Sequence, residues 1–334
     1  MDIEYLEEES DISRCEKEEN SLENLGNSID DVMIKKNNRL ISRIISDQES
    51  VEESIEMDTT SSLFYDSFIS DTSVSDSYDQ DALNYYRLRE AKFMIGDYWP
   101  NQKHMTPSMR SILVHWIFET FDAYNFPTEA FFHSVKLFDL YLEKNCVEKN
   151  QLQLISIVTL LIASKFDNRR KILTGEISYI SHNAYKMEEV IMKEREVLEY
   201  FNFDISFPTA IHFLHHFANG TFCDKYTYML SCYILEMSML GYELISVKDS
   251  IKAAASLLMA LKIKQLEWTE LHLNVSGYEE ADLTVAMWKL NAVIKNKSIN
   301  RYCSAIKEKY KKRINLNIFE SEDFPKNTMT KEND

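Results

Sequence analysis

From Ala82 onward the chain places apolar residues at helical spacing in one segment after another, and this pattern restricts it to packing helices. Thr106-Pro107 supplies an N-cap followed by a first-turn proline. Pro127-Thr128-Glu129 opens a second helix that runs to about Lys144, and further helices are predicted over about 150–166, 186–200, 209–218, 224–240, 248–264 and 279–295. Asn219-Gly220 provides a stop for the helix that begins at 209. Six glycines and five prolines in 334 residues are too few for Gly-rich phosphate loops or a turn-dense β fold, so the expectation is all-α.

The helical pattern also repeats. Leu160-Leu161-Ile162-Ala163-Ser164-Lys165 has a counterpart in Leu257-Leu258-Met259-Ala260-Leu261-Lys262, offset by 262 − 165 = 97 residues, which fits two similar five-helix units joined near Pro208. The segment before them is different in kind. Residues 1–81 hold 6 Lys+Arg and 23 Asp+Glu, and 6 − 23 = −17 is the whole net charge of the chain. With like charges in runs such as Glu7-Glu8-Glu9 and only short apolar clusters, this part cannot bury enough surface to offset its ordering entropy, and residues 1–78 are expected to be a disordered acidic, Ser-rich tail. The neutral remainder has no global field for nucleic acid or an anionic membrane. The five scattered cysteines of the whole chain lack C-x-x-C spacing and read as reduced thiols, without a disulfide framework or zinc ribbon. The opening Met1-Asp2-Ile3-Glu4 is unlike a basic signal peptide, and no apolar run is long enough to span a bilayer, so an intracellular protein is expected.

Several residues stand out by their chemistry. Met109, Ile112, Leu113 and Trp116 fall at i, i+3, i+4 and i+7 on one helix face, a pattern that by itself reads as a core stripe. Lys165 ends an apolar helix and Glu194 lies in a later one; in isolation both read as solvated charges. Arg110 and Asp139 are charges inside two apolar helices. His212, His215 and His216 have helical spacing, but no carboxylate or cysteine stands at ligand spacing and there is no H-E-x-x-H, so no metal is expected. Nucleophile-elbow, Walker and dinucleotide patterns are also missing, so no catalytic residues, cofactor or enzyme activity are expected.

Taken together, Met109-Arg110-Ser111-Ile112-Leu113-Val114-His115-Trp116 and Leu160 to Phe166 resemble the cyclin box, and the resemblance to B-type mitotic cyclins extends over roughly 78–318. Tyr85-Tyr86-Arg87-Leu88-Arg89-Glu90-Ala91 resembles the helix before the box. Asn145-Cys146-Val147, His212-Phe213-Leu214, Met239 to Glu243, Ala260 to Ile263 and Glu267-Trp268-Thr269 continue it in order. The resemblance implies a tail over 1–78, an N-terminal cyclin box over 79–207, a C-terminal cyclin domain over 208–318 and a tail over 319–334. It implies a regulatory subunit, in nucleus and cytoplasm, that forms a heterodimer with a cyclin-dependent serine/threonine kinase, activates it at the G2/M transition and recruits substrates.

Residue by residue, the family pattern implies that Lys165 and Glu194 hydrogen-bond the kinase main chain beside its movable C-helix. Phe166 and Phe203 would be apolar anchors, with Ala163 small for close approach. Met109, Ile112, Leu113 and Trp116 would form a half-exposed docking patch for Arg-x-Leu substrates and inhibitors, with Glu119 and Gln153 as its polar rim. Arg110 and Asp139 would form a buried pair that locks the first two helices of the box.

Some positions leave the pattern: His115 replaces an acidic residue, Leu140 replaces the Arg of an Asp-Arg motif, Asp167-Asn168 replaces a glutamate pair, and Arg169-Arg170-Lys171 stands where Pro-Pro is usual. These put the identity of the kinase in doubt rather than the fold. A competing class is the cyclin-fold general transcription factor, which binds promoter DNA. The basic run from Lys295 to Arg313 favours it, whereas an N-terminus with one cysteine and a neutral folded part do not. No Arg-x-x-Leu degradation box occurs in 1–78, but Lys331-Glu332-Asn333 is a KEN sequence through which ubiquitin-ligase machinery would act. Deleting the last four residues tests it; an unchanged protein lifetime through mitosis removes the idea.

Overall fold

The structure, a computed structural model, describes residues 76–168, 172, 176–177, 180–181, 183–311 and 314. Residues 1–75 of the acidic segment, Arg169-Arg170-Lys171, the end of the basic run at 312–313 and the KEN sequence at 331–333 lie outside the described residues, whereas 76–78, expected to belong to the disordered tail, already start the first helix. Among the described residues there are eleven α-helices and no strand. In order these are α1 (Asp76–Lys92), α2 (Pro107–Ala123), α3 (Thr128–Lys144), α4 (Lys149–Asp167), α5 (Met187–Tyr200), α6 (Ala210–Gly220), α7 (Lys225–Leu240), α8 (Asp249–Ile263), α9 (Glu270–Ser276), α10 (Glu280–Lys295) and α11 (Ser304–Lys311).

The caps follow the local chemistry. Thr106 accepts a hydrogen bond from Met109 N–H and Pro107 fills the first helical position of α2. Asp224 accepts from Tyr226 and Thr227 N–H to start α7. Four helix ends close by one motif, in which a left-handed residue (Asn125, Asn202, Phe222 or Gln265) is followed by an N–H that reaches back five residues at 2.9 Å. The short α9 was not foreseen, because its seven residues hold too few apolar positions to show a period. Its start is fixed by a reciprocal cap between Thr269 and His272.

In each half the third helix packs against three neighbours of its own unit. α4 packs against α2, α3 and α5, and α8 against α6, α7 and α10. The repeated segments at 160–165 and 257–262 occupy the same place in the two units, and their closing lysines do the same thing: Lys165 pairs with Glu194 of α5, and Lys262 with Glu280 of α10.

The two units are joined by buried polar groups. Arg110 forms a two-pronged ion pair with Asp139 at 2.7 and 2.8 Å, and Tyr98 donates to the same carboxylate at 2.8 Å. Burial alone would weaken the Arg110 charge; Asp139 reverses this and holds it protonated. The free end of the guanidinium donates to Met239 and Gly241 carbonyls, beside a Ser111 hydroxyl bonded to Leu240 O at 2.7 Å, so the pair locks α2 both to α3 and to the second unit. A second strut runs from Lys136 to Pro208 O at 2.9 Å and to Asp249 at 2.5 Å. Burial pushes the Asp249 carboxyl up, but Lys136 and Lys252 outweigh it and bring it down to about 2.

α1 clamps both units. Glu90 accepts from Ser250 N–H at 2.6 Å in the second, while Arg89 and Lys92 pair with Asp204 at the end of the first. Hydrogen bonds from these two cations hold the Asp204 carboxyl at about 2.

Candidate functional site: an exposed aromatic face around an ion pair

α4 ends by carrying an apolar helix out to solvent, and that geometry creates the site. Lys165 Nζ sits 2.6 Å from Glu194 Oε1, with the lysine side chain 38% exposed and the glutamate 13%. The next residue, Phe166, is half exposed although it sits at the end of a buried helix. Its ring is held edge-on by His133 at 4.9 Å, and His133 Nδ1 lies 2.6 Å from Asp167 Oδ2. The shortened acid at position 167, which departs from the family pattern, is thus turned inward onto a histidine of α3.

Phe203 is 66% exposed and has φ 59°, directly after Asn202 at φ 50°. Two successive left-handed residues, the second an aromatic presented to solvent, cost backbone energy that no packing of the ring recovers. The neighbouring Asp204, clamped to α1, fixes this turn.

Two further apolar residues are exposed on α1, Tyr85 and Leu88, 53% and 73% accessible. Their signal in the sequence was a leucine on a helix of otherwise low hydropathy. Leu140, the other departure, is buried and lines a cleft of about 490 Å³ with Lys92, Phe93, Tyr200 and Asp204.

Ala163 requires a correction, since it is fully buried inside α4 and cannot touch a partner. Its small side chain serves internal helix packing. The proposed patch on α2 is corrected in part. Met109, Leu113 and Gln153 are only partly exposed, and Ile112, Trp116 and Glu119 are 5%, 4% and 7% exposed. Glu119 Oε1 faces His115 Nε2 at 3.2 Å, so the histidine that replaces an acid uses one oxygen of the rim glutamate; the other oxygen is buried without a hydrogen-bond partner.

The three histidines of α6 do not converge. His212 caps its own helix through Thr209, and His215 lies 3.6 Å from Glu129, with burial pushing its pKa down to about 3. Among the described residues no cluster could hold a metal, and no helix is long and apolar enough to cross a membrane.

Sequence families agree with this architecture. The family model described as the cyclin N-terminal domain matches residues 81–206, and that of the cyclin C-terminal domain matches residues 208–323. The chain belongs to the cyclin family. It is 35% identical over 244 residues to a G2/mitotic-specific cyclin-B3 of Drosophila melanogaster, covering 71% of this chain and 42% of that protein. It is also 29% identical over 297 residues to a G2/mitotic-specific cyclin-B of Hydra viridissima, covering 85% and 73%. A mouse cyclin-B3 shares 35% identity over 222 residues, or 66% of this chain and 16% of that relative, so this cyclin spans less than half the length of both B3 relatives. A viral cyclin from herpesvirus saimiri superposes with a TM-score of 0.57 at 21% identity over 65% of this chain and 99% of its own, which establishes a shared fold.

Proposed function

We propose that this cyclin is the regulatory subunit of a cyclin-dependent serine/threonine kinase, acting in nucleus and cytoplasm at the G2/M transition. The observation that carries the proposal is the Lys165–Glu194 bridge together with two unburied aromatics on the same segments: Phe166, next to Lys165, and Phe203, just past the end of the helix that carries Glu194. Partner interfaces draw most of their energy from a few such aromatic anchors, while placed charges set orientation. A rigid partner that prefers the kinase C-helix in its inward position shifts the population toward the state whose Lys–Glu pair supports phosphoryl transfer, without doing chemistry itself.

Reconstitution with the kinase co-purified from dividing cells tests this. Reversing the pair together, Lys165→Glu with Glu194→Lys, keeps the internal bridge and the helical content but presents inverted charges to the kinase, and activation is expected to be lost. Retained activation with an intact far-UV spectrum would show that the interface lies elsewhere.

Substrate recruitment is assigned to the open part of the α2 patch. Alanine at Ile112 or Trp116 removes core and costs about 2–5 kcal/mol of stability, which obscures any docking effect. Met109→Glu with Leu113→Glu changes partly exposed positions. Phosphorylation of an Arg-x-Leu protein substrate is expected to fall about ten-fold, the effect of losing roughly 1.4 kcal/mol of docking, with that of a short motif-free peptide unchanged. Equal loss on both substrates removes the patch from the account.

A further inference from the structure

A second site lies away from the surface just described, where the segment entering α2 meets the loop after α7. Trp99 of the first unit and Tyr242 of the second stack nearly parallel, with ring centroids 5.6 Å apart and planes at 19°. They open onto a cleft of about 210 Å³ that Asp97, Glu243 and Lys289 also line. Tyr242 is 44% exposed, so the stack is not a core contact. Among the described residues none of these three charged groups makes an ion pair, which leaves two carboxylates against one ammonium. Asp97 is occupied only in accepting from Trp99 N–H at 3.1 Å. One oxygen of Glu243 is buried with no hydrogen-bond partner, close to where a side chain on residue 241 would begin, so steric confinement rather than a cation holds this carboxylate at the wall. Beyond the cleft, α10 exposes Val285 and Trp288, 64% and 49% accessible, on the same face as Lys289.

An exposed aromatic stack beside unneutralised carboxylates favours a planar cation: a guanidinium lies flat on the ring face and pairs with carboxylate oxygens along its edge, which a compact ammonium does less well. The flanking Val285 and Trp288 suit an apolar residue next to it in sequence. We propose that this cleft docks an arginine-bearing linear segment of a partner protein, with the guanidinium on the Trp99–Tyr242 stack against Asp97 and Glu243 and a neighbouring leucine-like side chain on Val285 and Trp288. Because the cleft draws on both units, an occupant would also bridge them. The proposal does not depend on the kinase reading.

The four tryptophans of the chain, Trp99, Trp116, Trp268 and Trp288, make the test specific. The full-length protein, ¹⁵N-labelled at the indoles, is titrated with the peptide acetyl-Ser-Leu-Leu-Arg-Ser-Gly-amide, which contains no Arg-x-Leu sequence, and with its citrulline analogue, a neutral group of the same shape. The arginine peptide is expected to shift the Trp99 and Trp288 indoles while Trp116, on the α2 patch, stays fixed. Citrulline is expected to bind about ten-fold more weakly, and Glu243→Gln to weaken the arginine peptide by a similar factor with the indole spectrum of the free protein preserved. Any of three results overturns the proposal: no Trp99 shift at millimolar peptide, equal binding of the citrulline analogue, or Trp99 shifts that follow protein concentration without peptide, which would make the face a contact with a second copy of the chain.

Discussion

Replacing Arg110 with alanine is expected to lower the free energy of unfolding by about 3–5 kcal/mol, enough to leave much of the protein unfolded at physiological temperature. The guanidinium is 2% exposed and makes four directed contacts: two with Asp139 and one each with the Met239 and Gly241 carbonyls. Its removal leaves a buried carboxylate facing only the Tyr98 hydroxyl, and two carbonyls of the second unit without a donor. The size of the effect comes mainly from the stranded charge. The double variant Arg110→Met with Asp139→Leu is therefore expected to recover part of the loss, though not the contribution of the inter-unit carbonyl bonds. Urea unfolding followed by circular dichroism measures both. A single-variant loss below about 1 kcal/mol would mean that the pair has no structural role, and full recovery in the double variant would mean that the contacts to Met239 and Gly241 add nothing.

The contrast between what this pair showed in sequence and what it does in the fold recurs elsewhere. Two lone charges in apolar helices could each have faced water; their pairing was implied only by the family resemblance, and the structure buries them against each other, as a buried charge needs a partner. The reach of Arg110 to the second unit left no trace, since its acceptors are main-chain carbonyls that any residue carries. Helix positions, by contrast, were legible. Thr106-Pro107 and the polar starts near 224 and 279 act through their own side chains, so the observed helices begin within a residue or two of the expected positions. The stripe Met109, Ile112, Leu113, Trp116 was ambiguous in principle. Spacing defines a face but not what lies over it, and here Ile112 and Trp116 are buried while Met109 and Leu113 remain partly open. Ala163 failed in the same way, because a small residue is demanded equally by a partner helix and by the protein's own core. The His133–Asp167 contact could not have been foreseen from position 167 alone, since a one-carbon shortening gains meaning only when the opposing α3 residue is a histidine.

Phe203 offers a test in which stability and binding should move in opposite directions. Its left-handed backbone disfavours any residue with a bulky side chain, and its ring, 66% exposed, recovers little of that cost within the monomer. Asparagine tolerates this conformation, so Phe203→Asn is expected to leave the unfolding free energy unchanged or raise it by about 0.5–1 kcal/mol. If the ring is an anchor for the kinase, the same substitution removes a contact of hot-spot size, about 2 kcal/mol or more, and weakens association roughly 30-fold or beyond. The strain is then retained because it aims the side chain outward, with Asp204 pinned by Arg89 and Lys92 to hold the turn in place. Thermal melts and titration calorimetry against the co-purified kinase subunit separate the possibilities. Stability and affinity falling together would mark Phe203 as part of the fold, and unchanged affinity in a protein of unchanged stability would leave the exposed, strained ring without a function in kinase binding.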